Sequence, residues 1–132
     1  MKLVRNDNVG NVQVIDAVNL EKTLSIFPDA VELVGGFPDE FFRDAWELSV
    51  NTLGINLNKA KEVCHQKRRV KRDSLFAPYD KIIAAQIPNT DIVAVEQARE
   101  DIRVNDALVQ QSIDSATTTA ELKTIIENYE AI

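Results

Sequence analysis

One cysteine, one histidine, one methionine and one tryptophan occur among the 132 residues of this chain. A single cysteine excludes an internal disulfide, so packing has to hold the fold. One histidine beside one cysteine leaves no ligand set for a zinc site. No apolar run approaches the roughly 20 residues that a membrane-spanning helix needs. Met1–Gly10 also lacks the apolar core of a signal peptide. The expectation is a soluble, unsecreted protein with no membrane partner. Gly35-Gly36 is not followed by Lys-Ser or Lys-Thr at a helix start, which excludes a glycine-rich phosphate loop. The length suits one domain without internal repeats. Residues 1–56 are expected as a small N-terminal subdomain of mixed α and β structure, and residues 57–132 as a helical hairpin region.

The net charge of −6 conceals a segregation along the chain. Residues 1–56 carry 4 basic and 9 acidic side chains, residues 57–86 carry 8 and 3, and residues 87–132 carry 3 and 9. Taken whole, the chain repels nucleic acid, whereas residues 57–86 alone would attract it. That segment, LNKAKEVCHQKRRVKRDSLFAPYDKIIAAQ, is also the longest helix-favouring stretch. Asn56 suits its N-cap. Leu57, Ala60, Val63 and Cys64 share a helical face, as do Leu75, Tyr79, Ile82 and Ile83. Between His65 and Ser74 the only clearly apolar residue is Val70, so the helix is expected to dock at both ends and show its waist to solvent or to a charged partner. Pro78 predicts a kink or restart at Ala77–Pro78, because proline removes a helical N–H and disfavours αR in the residue before it.

Before that helix, Lys2–Arg5 and Val12–Ile15 read as a β-hairpin across a polar turn. Asp16 or Asn19 could cap a short helix carrying Leu20, Leu24 and Phe27, and Ala30–Val34 reads as a third strand. Trp46–Val50 and Leu53–Leu57 suggest a second hairpin around Asn51-Thr52. After Pro88, Asn89 or Thr90 can cap a helix from about Asp91 to Ser115, with Val95, Ala98, Ile102, Val109 and Ile113 as its apolar stripe. The short connection predicts an antiparallel pair of long helices. Thr118 to Glu121 is a capping box that opens a final short helix bearing Leu122, Ile125, Ile126 and Tyr129. The fold class expected is α+β: a small N-terminal β subdomain with a short helix, then a C-terminal antiparallel long-helix hairpin plus a short final helix.

Three clusters are candidates for function. Lys67, Arg68, Arg69, Lys71 and Arg72 form the basic waist, which could bind phosphate. Alternatively it could pair with Glu96, Glu100, Asp101 and Asp106 of the second helix, or with a neighbouring subunit. No aromatic residue is interleaved with the run, which disfavours nucleic acid as a partner. Phe41, Phe42 and Trp46 hold three of the eight aromatic rings. They are expected as a core anchor, with an exposed partner patch as the alternative. Cys64 and His65 point about 100° apart on a helix, so Cys64 reads as a small apolar filler and not a nucleophile. Asp39, Glu40 and Asp44 read as solvated surface. No catalytic, cofactor-binding or metal-binding residues and no small-molecule substrate are expected from the residues, and the chain is not expected to be an enzyme.

The segment Pro38-Asp39-Glu40-Phe41-Phe42-Arg43-Asp44-Ala45-Trp46, followed by Asn58-Lys59-Ala60-Lys61-Glu62-Val63, resembles a family of small tailed-bacteriophage proteins. Members join a P-D-x-x-F-R-x-A-W motif to a K-A-K-E helix start, a basic run and a helical hairpin. The likeness extends through Ala116–Lys123, while residues 1–37 match no family pattern. Val63 stands where the family often has isoleucine. Phe42, Arg43 and Trp46 are the marker residues. The resemblance implies a virion-associated, non-enzymatic structural or adaptor protein, in the tail or at tail-fibre attachment. Its partners would be other phage structural proteins or further copies of itself. The helical hairpin is also similar, more loosely, to phage tail-assembly chaperones. A fibre-assembly chaperone, a capsid decoration protein and a nucleic-acid-binding phage regulator are the alternatives.

Overall fold

The computed structural model describes residues 1–132. The fold is α+β: a small antiparallel β region followed by a pair of long helices and a short final helix. The chain divides into two units, residues 1–60 and 61–132.

In the first unit, β1 (Lys2–Asn6) pairs antiparallel with β2 (Val12–Asp16) and with β3 (Val31–Glu32), in the order β2-β1-β3. The register sets Val4 opposite Val14 on one side and Val31 on the other. Asp7 builds the intervening turn, since its carboxylate accepts from the N–H groups of Val9 and Asn11. Asn19 caps α1 (Leu20–Ile26) by accepting from Lys22 N. Leu20 and Leu24 nevertheless stay exposed, and only Phe27, just past the helix, joins the cluster of Leu3, Ala17 and Ala30. The third strand is shorter than its sequence suggests, and both of its residues are exposed. A 3₁₀ segment, Glu40–Ala45, leads into the hairpin of β4 (Trp46–Ser49) and β5 (Thr52–Ile55). Val34 N donates to Asn51 O, tying the hairpin turn to the strand region.

The second unit is built by α2 (Leu57–Ala85) from Lys61 on, by α3 (Ile92–Ser115) and by α4 (Thr119–Glu130). Asn56 caps α2 by accepting from Lys59 N. The contacts Lys61–Asp114, Arg68–Asp106 and Asp80–Arg99 run in opposite chain directions, so α2 and α3 are antiparallel. The cap of α3 is Asp91, which accepts from Ala94 N, in place of the expected Asn89 or Thr90. No helix is long and apolar enough to cross a membrane.

The expected break at Pro78 does not occur, and α2 is one helix with proline inside it. The proline forfeits a bond to the Ser74 carbonyl, and both residues are exposed, so water can satisfy that oxygen. The helix ends instead at Gln86, whose φ of 49° is left-handed. Because proline inside a helix costs about 3 kcal/mol relative to alanine, Pro78→Ala is expected to stabilise the protein. Allowing about 0.4–1 kcal/mol for the freer unfolded chain, the net gain should be about 2 kcal/mol. Chemical denaturation of the two proteins checks this, and an unchanged midpoint would mean the local helix is already relaxed around proline.

Candidate functional site

Of the two expectations for the waist of α2, solvent or a charged partner, Arg68 and Arg72 follow the second by meeting Asp106 of α3. His65 and Arg68 are buried, Arg68 at 3 % exposure, while Val70, the waist's one apolar residue, is 71 % exposed. The phase of the helix explains the inversion. The inward stripe runs Ala60, Cys64, Arg68, Arg72, Leu75 and Tyr79 at spacings of three and four, and it continues straight through the basic run. The facing stripe of α3 likewise runs Ile102, Asp106, Val109 and Ile113. Two bases, Arg68 and Arg72, therefore meet one acid, Asp106, between otherwise mostly apolar stripes. These positions could have been read from the sequence by extending each stripe instead of averaging charge over the segment.

Arg68 Nη1 donates to Asp106 Oδ2 at 2.8 Å, and Arg72 Nη1 lies 3.8 Å from the same oxygen. Tyr129 of α4 donates its hydroxyl to Asp106 Oδ1 at 3.2 Å. Arg68 Nε donates to His65 Nδ1 at 3.3 Å, which leaves the ring proton on Nε2, and Nε2 lies 2.8 Å from Asp114 Oδ1. Five polar side chains from three helices are thus linked in one chain, Asp114–His65–Arg68–Asp106–Tyr129. Each carboxylate oxygen of Asp106 has a donor. Such an arrangement ties α2, α3 and α4 together through side chains.

The remaining basic residues are also engaged within the chain. Arg69 lies 3.3 Å from Glu62, one to two turns back on α2. Lys71 donates to the backbone carbonyls of Glu130 and Ile132 at 3.3 and 2.7 Å, where a cation suits the negative end of α4. Lys67 is half-buried beside Val70 and Glu130 around a groove on α2. Of the four acids expected to face the waist, only Asp106 does so. Glu96 and Glu100 pair with Arg99 and Arg103 of their own helix, and Asp101 accepts from Gln97.

In the first unit the marker residue Arg43, itself half-buried, lies against Trp46, and Phe42 makes an edge contact with Phe41. Phe42 and Trp46 are buried, and the Arg43 guanidinium lies 4.5 Å from the Trp46 ring centroid. Arg43 Nη2 donates to Val12 O on the edge of β2 at 2.9 Å. Trp46 Nε1 donates to Asp39 O, and Phe37 stacks on the indole at 5.8 Å. Asp39, Glu40 and Asp44 are exposed, and Asp39 caps the 3₁₀ segment through Phe41 N. Nowhere do three or more His, Cys, Asp or Glu side chains come together as a metal site would need.

Burial pushes the Cys64 thiol up to about 11 from an ordinary 9.0. Burial, then the Asp106 carboxylate, pushes the Tyr129 hydroxyl up to about 12 from 10.0. Both groups hold their protons more tightly in the folded chain. Their stabilising effect is therefore complete below pH 9, and it is lost as pH climbs through 9–11 for Cys64 and 10–12 for Tyr129. Unfolding free energy followed across this range should fall steeply. In a Cys64→Ala, Tyr129→Phe double variant the slope should be shallower, and an equal slope would place the alkaline transition elsewhere.

No family model, curated protein or solved structure matches this chain.

Proposed function

We propose that this chain is a non-enzymatic structural or adaptor protein of a bacteriophage particle, in the tail or at tail-fibre attachment, acting through protein–protein contacts. The observation that carries the reading is how the basic run is used. Arg68 and Arg72 converge on Asp106, Arg69 on Glu62 and Lys71 on the Glu130 and Ile132 carbonyls at the end of α4. Charges engaged this way have little counterion to release on meeting a phosphate backbone, which favours protein over nucleic acid as the partner. Among their exposed charged and polar residues, the long helices also present apolar side chains outward, including Val70, Val104 and Leu108. Protein interfaces favour such side chains at their centres, which are depleted of charge. The phage assignment itself draws on the P-D-x-x-F-R-x-A-W resemblance, two of whose marker residues, Phe42 and Trp46, are buried.

Quantitative mass spectrometry of purified particles of the phage that encodes the chain tests this reading. Presence at a fixed copy number typical of a tail component is expected. A copy number matching the capsid lattice would move the role to capsid decoration. Absence from particles, with abundance in infected cells, would overturn the virion role in favour of an assembly chaperone.

A further inference from the structure

His65 is the chain's only histidine, and its ring stands between two charges of opposite sign. Nδ1 accepts from Arg68 Nε at 3.3 Å, and Nε2 faces Asp114 Oδ1 at 2.8 Å. Only a ring that carries a single proton can make both contacts, because Nδ1 needs its lone pair to accept from a guanidinium. That lone pair is also the place where a second proton lands. The ring would then turn an N–H and a positive charge toward Arg68, which has no lone pair to accept with. Histidine is the side chain whose ordinary proton uptake falls between about pH 5 and 8.

The two sides of the ring differ in their access to water. The Arg68 side chain is 4 % exposed and that of Asp114 is 60 % exposed. Repulsion on the Arg68 side is therefore weakly screened, and attraction on the Asp114 side is strongly screened. The other charged groups around the ring are Lys61, Glu62 and Arg69 of α2. Lys61 donates to the Asp114 backbone carbonyl at 2.9 Å, and Arg69 lies 3.3 Å from Glu62. The hydrogen bond from Arg69 holds the Glu62 carboxyl below the ordinary carboxylate range, so this acid keeps its charge as pH falls toward about 5. Glu62 and Arg69 thus largely offset each other, and Arg68 and Asp114 decide what a second proton does. Asp106 stands one step further, behind Arg68, with Arg72 and Tyr129 around it.

We propose that His65 is a proton-operated joint in the clamp between α2 and α3. Uptake of a proton at Nδ1 breaks the bond from Arg68, while the charged ring keeps Asp114. The linked set is cut in the middle: His65 remains with Asp114, and Arg68 remains with Asp106. Arg68 Nε–H is left without an acceptor at a site that water does not reach, so the guanidinium is pushed off the ring. The apolar neighbours Cys64 and Ile113, both fully buried, hold the seam packed on either side. Acidification therefore loosens the polar clamp without unfolding the helix pair. The inference is independent of the phage assignment, since it concerns only the seam of the second unit.

NMR of the full chain labelled with ¹⁵N tests this, and a single histidine makes the ring signals unambiguous. At about pH 8 the ring should carry its proton on Nε2 alone, and at about pH 5 both nitrogens should be protonated. Exchange of Arg68 Nε–H with solvent, corrected for its intrinsic pH dependence, should be about tenfold faster at the lower pH, the scale of one hydrogen bond made by a charged group. His65→Gln offers Arg68 a carbonyl oxygen and Asp114 an amide N–H, and it takes up no proton. In that variant the Arg68 signal should be equally protected at both pH values. Unchanged protection of Arg68 in the parent chain would overturn the proposal, as would a ring proton on Nδ1 at pH 8. An equal acid-induced loss in His65→Gln would also overturn it, by assigning the response to the carboxylates.

Discussion

Arg68→Ala is expected to destabilise the protein by about 3–5 kcal/mol, the loss typical when one partner of a buried ion pair is removed. Arg68 and Asp106 have side chains only 4 % and 9 % exposed, so water cannot replace the guanidinium without opening the helix seam. Asp106 would keep Tyr129 and the distant Arg72 as its only partners. The cost comes from the stranded carboxylate more than from the lost bond, and that distinction can be measured. Removing the whole polar set in Arg68→Met, Asp106→Leu, Tyr129→Phe should recover most of the stability, because apolar residues of similar volume match or exceed a buried ion pair. Denaturant unfolding of the single and triple variants decides the matter. A loss below about 1 kcal/mol for Arg68→Ala would mean the pair is solvated like a surface salt bridge.

Trp46→Ala carries the second large effect, about 3–5 kcal/mol for a buried aromatic truncated in the core. Three separate interactions go with it: the stack with Phe37, the Arg43 guanidinium over the ring and the Nε1 bond to Asp39 O. Trp46→Phe keeps a ring for the first two and loses only the third, at a cost of about 1 kcal/mol for the bond. The two variants therefore separate ring packing from hydrogen bonding. If Trp46→Phe cost as much as Trp46→Ala, the indole N–H would be the dominant contribution.

What the sequence made legible was set by local chemistry. Asn19, Asn56 and Thr118 cap the helices they precede, because a short polar side chain at that position answers a backbone N–H two or three residues on. Strand alternation likewise gave both hairpins. Three features were misread for one reason, which is that each depends on what lies across from the residue. Pro78 breaks a helix in isolation, but its single lost bond falls at an exposed carbonyl in a helix of 29 residues, held along its inward side. Arg68 is indistinguishable from its basic neighbours until Asp106 stands opposite it. Leu20 and Leu24 have core spacing, yet no element covers them.

The clamp at Asp106 also bears on how the chain finds one arrangement among many. A purely apolar seam between two long helices tolerates a slip of one turn, about 5.4 Å, since one aliphatic side chain can replace another. Here a one-turn slip of α3 along α2 would part Asp114 from His65 and carry Asp106 away from Arg68, toward Arg72 in one direction and toward Cys64 in the other. Each misaligned pairing is thus penalised by stranded polar groups well before the rest of the seam can pack. The residues that contribute least to net stability act as a proofreading step in folding, rejecting every register except the native one.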